Sequence, residues 1–250
     1  MAVLSEPAAE LSQLPKADGS ANFAYQGYTV TAAVNGPLEA QRRDENAFEA
    51  LIDVNIRPAA GVGGTAERQL ESVLQAALRQ LVPIRSYPRS MFQVTLQIVE
   101  TPENAYENSK IMQSQLNLCI IPALVHAAIL GFLTAAIPLK AIATAVTLAI
   151  RDDDGGSVVI EPTAVEARRA KSVHVLGFNS DNELLLAESE GQFGEDELKA
   201  VFETGERVCC LSRVPDADTL MEDGGAESIS IRDFMRSALQ SKIARDLYWK

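Results

Sequence analysis

The sequence predicts a mixed α/β domain, of the α+β kind, in which paired mixed β-sheets carry packed helices. Three patterns support this: a hairpin signature over residues 17–39, an amphipathic helix between strand-like runs near residue 70, and the return of the same strands-then-helix order in the second half. Residues 1–16 contain Glu6, Glu10, Pro7 and Pro15 and no apolar run, so they read as a flexible leader with no signal peptide. Asp18-Gly19-Ser20 has the composition of a turn. Phe23 and Tyr25 alternate with small residues, and Gln26-Gly27 reverses the chain. Tyr28, Val30, Ala32 and Val34 then share one face, and Thr29 and Thr31 the other. Asn35-Gly36-Pro37 is expected to close this second strand.

Residues 50–56 set Ile52, Val54 and Ile56 against Leu51, Asp53 and Asn55, a third strand that Pro58 ends. After a flexible Gly61-Val62-Gly63-Gly64, Thr65 is expected to cap a helix with Glu67 in its first turn. Leu70, Val73, Leu74, Ala77, Leu78 and Leu81 recur at helical spacing, and Pro83 stops the helix. Residues 92–99 form another strand. Residues 118–139 carry no formal charge and are long enough to span a bilayer. Pro122, His126 and Pro138 interrupt the run, and no basic flank adjoins it. It is therefore read as a helix buried inside the domain, ending near Ala136. Residues 143–150 follow as a buried strand, 151–156 as a charged turn and 158–160 as the return strand. A hairpin over 172–178 and 184–187, a helix over 195–211, an acidic insertion loop at 214–228 and a C-terminal helix within 229–250 complete the chain. Residues 17–213 and the last helix are expected to form one domain.

The 250 residues carry a formal net charge of −12, so a free-standing nucleic-acid binder with an overall basic footprint is excluded. Any RNA contact must come from a local patch or from basic partners. Three cysteines, two of them adjacent, form no disulfide framework. Two histidines and no Cys-x-x-Cys leave no structural zinc site.

The wording of several segments adds to the physical reading. Asp18-Gly19-Ser20-Ala21, Gly27-Tyr28-Thr29-Val30 and Gly36-Pro37-Leu38-Glu39 resemble the opening of ribonuclease PH-like domains. Glu161-Pro162-Thr163-Ala164-Val165-Glu166, Ser172-Val173-His174-Val175 and residues 191–198 continue the likeness, as do Ile56-Arg57-Pro58-Ala59 and Tyr87-Pro88-Arg89. No one of these is specific; their order and spacing carry the match, from about Leu14 to about Leu211. Within the family the chain is most similar to the short, non-catalytic ring subunits of the eukaryotic RNA exosome. The resemblance implies a six-membered ring of such domains, RNA-binding cap subunits, a catalytic exoribonuclease subunit and single-stranded RNA as partners, with no membrane. It also implies a place in the nucleus, nucleolus and cytoplasm, in 3′-to-5′ RNA degradation and ribosomal RNA processing.

Active relatives hold a metal and the scissile phosphate with two aspartates, which fall here on Glu161 and Ala167. Mg²⁺ needs hard oxygen ligands, and alanine offers none. The relatives' phosphate-holding turn with its arginine falls on Ile120-Ile121-Pro122, and no arginine occurs between Arg89 and Arg151. No catalytic residue, metal or cofactor is therefore expected, the degenerate site being Glu161, Ala167 and Ile121. The resemblance also implies that arginines on the loop after the second strand and near the first helix line a pore. Arg42, Arg43, Arg68, Arg79 and Arg89 are the RNA-binding candidates, each with a surface ion pair as the rival reading. The alternatives left open are a homodimeric Mg-dependent nuclease, with Glu161, Glu166 and Asp152–Asp154 as rebuilt ligands, and a membrane anchor over residues 118–139.

Overall fold

Period-two alternation builds the first sheet. The computed structural model describes residues 7–102, 117–151, 157–210 and 230–248. In it, β1 (Ala8–Leu11), β2 (Gly19–Tyr25), β3 (Tyr28–Glu39), β4 (Leu51–Arg57) and β5 (Ser90–Glu100) form a five-stranded sheet in the order β1-β2-β3-β5-β4. The β4–β5 pair is parallel and the others antiparallel. Val30, Ala32, Val34, Ile52, Val54, Phe92 and Val94 are buried on one face, while Thr31, Asp53 and Gln97 turn to the other.

A parallel pair needs a crossover, and α1 (Thr65–Leu81) supplies it. It buries Leu70, Leu74, Ala77, Leu78 and Leu81 and packs on β4. The cap sits one residue earlier than the sequence predicts. Gly64 is the N-cap, and its N–H donates to the Glu67 carboxylate at 2.6 Å.

Two expectations for this sheet are corrected. Ala8–Leu11, assigned from sequence to a flexible leader, is an edge strand paired with residues 21–24, and Ala9 and Leu11 pack against the core. Four residues are too short for an alternation to register, and only β2 reveals the strand. Asn35-Gly36-Pro37 does not close β3. The strand runs on to Glu39 through a register shift between Asn35 and Leu38, where a proline needs no ladder donor.

α2 (Ile121–Thr134) follows a 3₁₀ turn at Leu118–Ile120. All of its residues except Leu133 are buried, as expected of a helix apolar all round. One side lies on β2 and β3 and the other on β6 (Ala143–Ile150) of a second sheet. β7 (Val158–Ile160), β8 (Ser172–Asn179) and β9 (Leu184–Gly191) complete that sheet, antiparallel in the order β7-β6-β8-β9. The helix seats closely because two glycines face each other. A Cβ on Gly19 would lie 2.3 Å from the Gly131 carbonyl oxygen, and one on Gly131 would lie 2.8 Å from Val34 Cγ2. Among the described residues no helix is long and apolar enough to cross a membrane.

α3 (Ala164–Arg169) is a short helix between β7 and β8. α4 (Glu195–Cys210) covers the far face of the second sheet, where Val201 and Cys209 meet Val146, Leu148, Ile150 and Leu176. β6 is therefore buried at every residue, between α2 and α4. α5 (Ile231–Asp246) packs Met235 into the main core and sets Phe234 against Phe23, with centroids 6.4 Å apart. Arg232 Nη2 ties it to the Asn179 carbonyl at 3.1 Å. Asp152–Asp154 and the insertion at 214–228 lie outside the described residues.

Candidate functional site

β7 ends at Ile160, and the next residue, Glu161, adopts φ +55°, a region L residues seldom occupy. Its N–H donates to the Thr147 carbonyl on β6 at 2.9 Å, which fixes the turn. The side chain then reaches to the first sheet, where the Tyr25 hydroxyl donates to Glu161 Oε2 at 2.5 Å. The Gln26 side chain also hydrogen-bonds this carboxylate. Tyr25 and Gln26 stand at the tip of the β2–β3 hairpin, whose turn residues Gln26 and Gly27 both have positive φ. Burial pushes the Glu161 carboxyl above its ordinary range, and the two hydrogen bonds pull it partly back. Burial, and then the neighbouring carboxylate, pushes the Tyr25 hydroxyl upward.

The contact closes one wall of a small cleft between the two sheets. Tyr28 of β3, Cys119 of the 3₁₀ turn, Pro122 and Ala123 at the start of α2, and Ala145, Val146 and Thr147 of β6 line the rest. The fold thus brings Glu161 and the N-terminal end of α2 to one cleft. Ile121 itself is fully buried in the core, and its neighbours in the cleft are apolar. Ala167 lies on α3 and is not among the cleft residues. Glu166 is occupied elsewhere: it accepts from Thr163 N and Oγ1 at 2.9 and 2.8 Å in a capping box, and pairs with Arg151 at 3.3 Å. These contacts hold its carboxyl below the usual range. Among the described residues no group of three or more His, Cys, Asp or Glu side chains could hold a metal ion.

The arginines divide. Arg42 and Arg43 are exposed on the loop between β3 and β4. Arg79, in the last turn of α1, pairs with Glu49 at 2.7 Å, and Arg89 pairs with Glu45 at 3.3 Å. These four share one end of the first sheet, where Glu39 opposes Ser90 and Leu51 opposes Met91. Arg68 is exposed in the first turn of α1, roughly 16 Å away along the helix axis. The acids beside it on the helix, Glu67 and Glu71, are both engaged with backbone: Glu67 with Gly64 N and Glu71 with Ile56 N.

Both histidines are buried. His126 Nε2 accepts the Ala145 N–H at 3.0 Å, and its ring meets Phe23 edge-on at 5.3 Å. Burial pushes it down to about 3. His174 joins Ser172 Oγ at 2.9 Å and Ser189 Oγ at 2.8 Å, a polar row across β8 and β9. Sequence reasoning does not find Tyr25 and Gln26 as partners of Glu161.

The model of the 3′ exoribonuclease family, domain 1, matches residues 6–138, and that of domain 2 matches residues 141–208. The chain is 34% identical over 207 residues to the exosome complex component RRP46 of Saccharomyces cerevisiae, which covers 80% of this chain and 89% of the yeast protein. It is 28% identical over 234 residues to the exosome complex exonuclease RRP46 homolog of Oryza sativa subsp. japonica, covering 94% and 90%. The crystal structure of rice Rrp46 superposes with a TM-score of 0.73 over 96% of each chain, at 25% identity. The Archaeoglobus fulgidus exosome with RNA bound to the active site shares the fold, with a TM-score of 0.64, 14% identity, and coverage of 81% of this chain and 84% of the other.

Proposed function

The chain belongs to the 3′ exoribonuclease, or RNase PH, family, and from that premise we propose that it serves as a catalytically silent ring subunit of an RNA exosome core. The observation that carries silence is the state of Glu161. Its carboxylate is turned toward Tyr25 and Gln26, each of which hydrogen-bonds it, while Ala167 provides no second oxygen ligand. The apolar Cys119, Pro122 and Ala123 wall gives a phosphate no cationic partner. Ring membership is supported by the yeast relative, whose name places that protein in the exosome complex. The partners are then other RNase PH-like subunits, RNA-binding cap subunits, a catalytic exoribonuclease subunit and single-stranded RNA. The work is 3′-to-5′ RNA degradation and ribosomal RNA processing, in the nucleus, nucleolus and cytoplasm. Arg42, Arg43 and Arg68 are the exposed cations proposed to meet passing phosphates, a contact without base specificity.

Two measurements test the reading. Native mass spectrometry of the gently purified, tagged chain should give a hetero-oligomer of different RNase PH-like proteins; a homodimer or monomer overturns ring membership. The isolated chain, incubated with single-stranded RNA, Mg²⁺ and phosphate, should release no nucleotides. Release that Glu161→Gln abolishes would establish instead a Mg-dependent nuclease.

A further inference from the structure

The second sheet carries a polar row that lies apart from the Glu161 cleft. Ser172 and His174 stand two residues apart on β8 and share a face, and Ser189 of β9 lies opposite His174 in the ladder. His174 bridges the two serines: its Nε2 meets Ser172 Oγ at 2.9 Å, and its Nδ1 meets Ser189 Oγ at 2.8 Å. The next residue on that face, Leu176, is buried under α4 with Val201 and Cys209. Buried polar groups find partners, so a row closed off inside the fold needs no further role. This row runs from the interior out to solvent. Ser172 and His174 are 2% and 0% exposed, whereas Ser189 is exposed.

The surroundings fix the imidazole and keep it neutral. Phe193, just before α4, meets the His174 ring edge-on with centroids 4.8 Å apart. Burial holds His174 below its ordinary value, and the Glu197 carboxylate in the first turn of α4 pulls it partly back. Glu197 also pairs with Lys171 at 2.7 Å and accepts the Gly194 N–H at 2.7 Å. At neutral pH His174 is thus a free base, with one nitrogen on an exposed hydroxyl and the other on a buried one. An activated serine requires a base within hydrogen-bond reach and a third group that orients the base. Both are present here.

We propose that Ser189 is a nucleophile, activated by His174, that takes a small acyl group from an activated ester. In the tautomer that acts, Nε2–H donates to Ser172 and Nδ1 accepts from Ser189. Ser189 Oγ attacks the carbonyl carbon of the ester as its proton passes to Nδ1. The bond from that carbon to the leaving oxygen breaks, and the leaving oxygen takes the electron pair and then the proton from Nδ1. The acyl group stays on Ser189, and nothing is oxidised or reduced. Ser172 and Glu197 are positioning residues: the first orients the ring, and the second favours the positive charge that forms on it. Phe193, 38% exposed, gives the donor an apolar surface beside the row.

The test uses the full chain in the assembly with which it purifies, with p-nitrophenyl acetate as the probe and no RNA, metal or phosphate present. Tandem mass spectrometry should place an acetyl group on Ser189 sooner than on Ser237, an exposed serine whose hydroxyl donates to the Phe234 carbonyl. Equal rates at the two serines overturn the proposal. The rate at Ser189 should rise with pH, with a midpoint below 6.5, and then level off. A rate that climbs across the whole range with no plateau overturns the base. His174→Gln should slow acetylation of Ser189 by roughly 10²- to 10⁴-fold, as expected when a general base is removed. An unchanged rate in a folded His174→Gln protein overturns the role of the imidazole; if that variant does not fold, the parent's pH profile decides. Glu197→Gln keeps an acceptor for the Gly194 N–H and removes the charge, so the midpoint should fall further. A midpoint that stays or rises overturns the part given to Glu197. Ser172→Ala should slow acetylation, and Ser172→Thr, which keeps the hydroxyl, should restore it; equal rates in parent, Ala and Thr forms overturn the part given to Ser172.

Discussion

Acidification should loosen the joint between α2 and the second sheet through His126. The imidazole is fully buried and accepts the Ala145 N–H through Nε2. Protonation would turn that acceptor into a donor facing a donor. The folded-state value is depressed, from 6.5 to about 3, so the neutral ring contributes stability above pH 6.5 that is lost as pH falls. Proton linkage between those two values removes about 2.5 kcal/mol on going from about pH 7 to about pH 4.5. For a chain of this size that is about 5–10 °C in melting temperature. The assay is thermal unfolding of the parent and of His126→Gln, whose amide does not titrate, at both pH values. The readout is the change in the difference between the two proteins, so carboxylates common to both cancel. His126→Gln should gain about 2.5 kcal/mol on the parent in acid. A difference that stays constant within about 0.5 kcal/mol would refute the argument that His126 is the acid-labile joint.

Four further outcomes are expected. Tyr25→Phe removes a hydrogen bond to a buried carboxylate and should destabilise the fold by about 1.5–3 kcal/mol at about pH 8. Because the folded-state value of Glu161 is raised, Glu161→Gln should gain on the parent as pH climbs above the ordinary glutamate value of 4.5; a flat difference from acid to alkaline pH would contradict this. Gly131→Ala gains helix propensity of about 1 kcal/mol but presses on Val34 Cγ2, so a net loss of about 0–2 kcal/mol is expected, relieved in part by Val34→Ala. Gly19→Ala meets backbone atoms at 2.3 and 2.4 Å and should prevent soluble folding; a circular dichroism melt matching the parent would rule the close approach out.

Most elements are legible in the sequence because their patterns are local. The alternation in β3 and the apolar stripe of α1 each declare one buried face. The wholly apolar run at 118–139 declares burial but not what covers it, since a helix between two sheets and a helix in a bilayer share a composition. β1 stays hidden because, among the described residues, β2 is the one strand that pairs with it, and its own four residues include two alanines. At the site, Glu161, Ala167 and Ile121 follow from the resemblance, whereas the turning of Glu161 toward Tyr25 depends on a contact 136 positions apart. The same holds for Arg79 and Arg89, whose partners Glu49 and Glu45 sit 30 and 44 positions earlier. Spacing on a helix finds i,i+4 partners and is blind to these.

The placement of α2 bears on how the chain could have been assembled or divided. The family models meet near residue 139, as though the chain were two modules in tandem. The helix belongs by sequence to the first module, yet the second module rests on its far side, where His126 fastens β6. A fragment ending at residue 138 would expose that whole flank to water, and one beginning at residue 141 would leave the inner face of β6 uncovered. The two modules are therefore halves of one cooperative unit. Limited proteolysis or circular permutation should find no tolerated cut between them, whereas the surface loop at residues 59–63 should accept one.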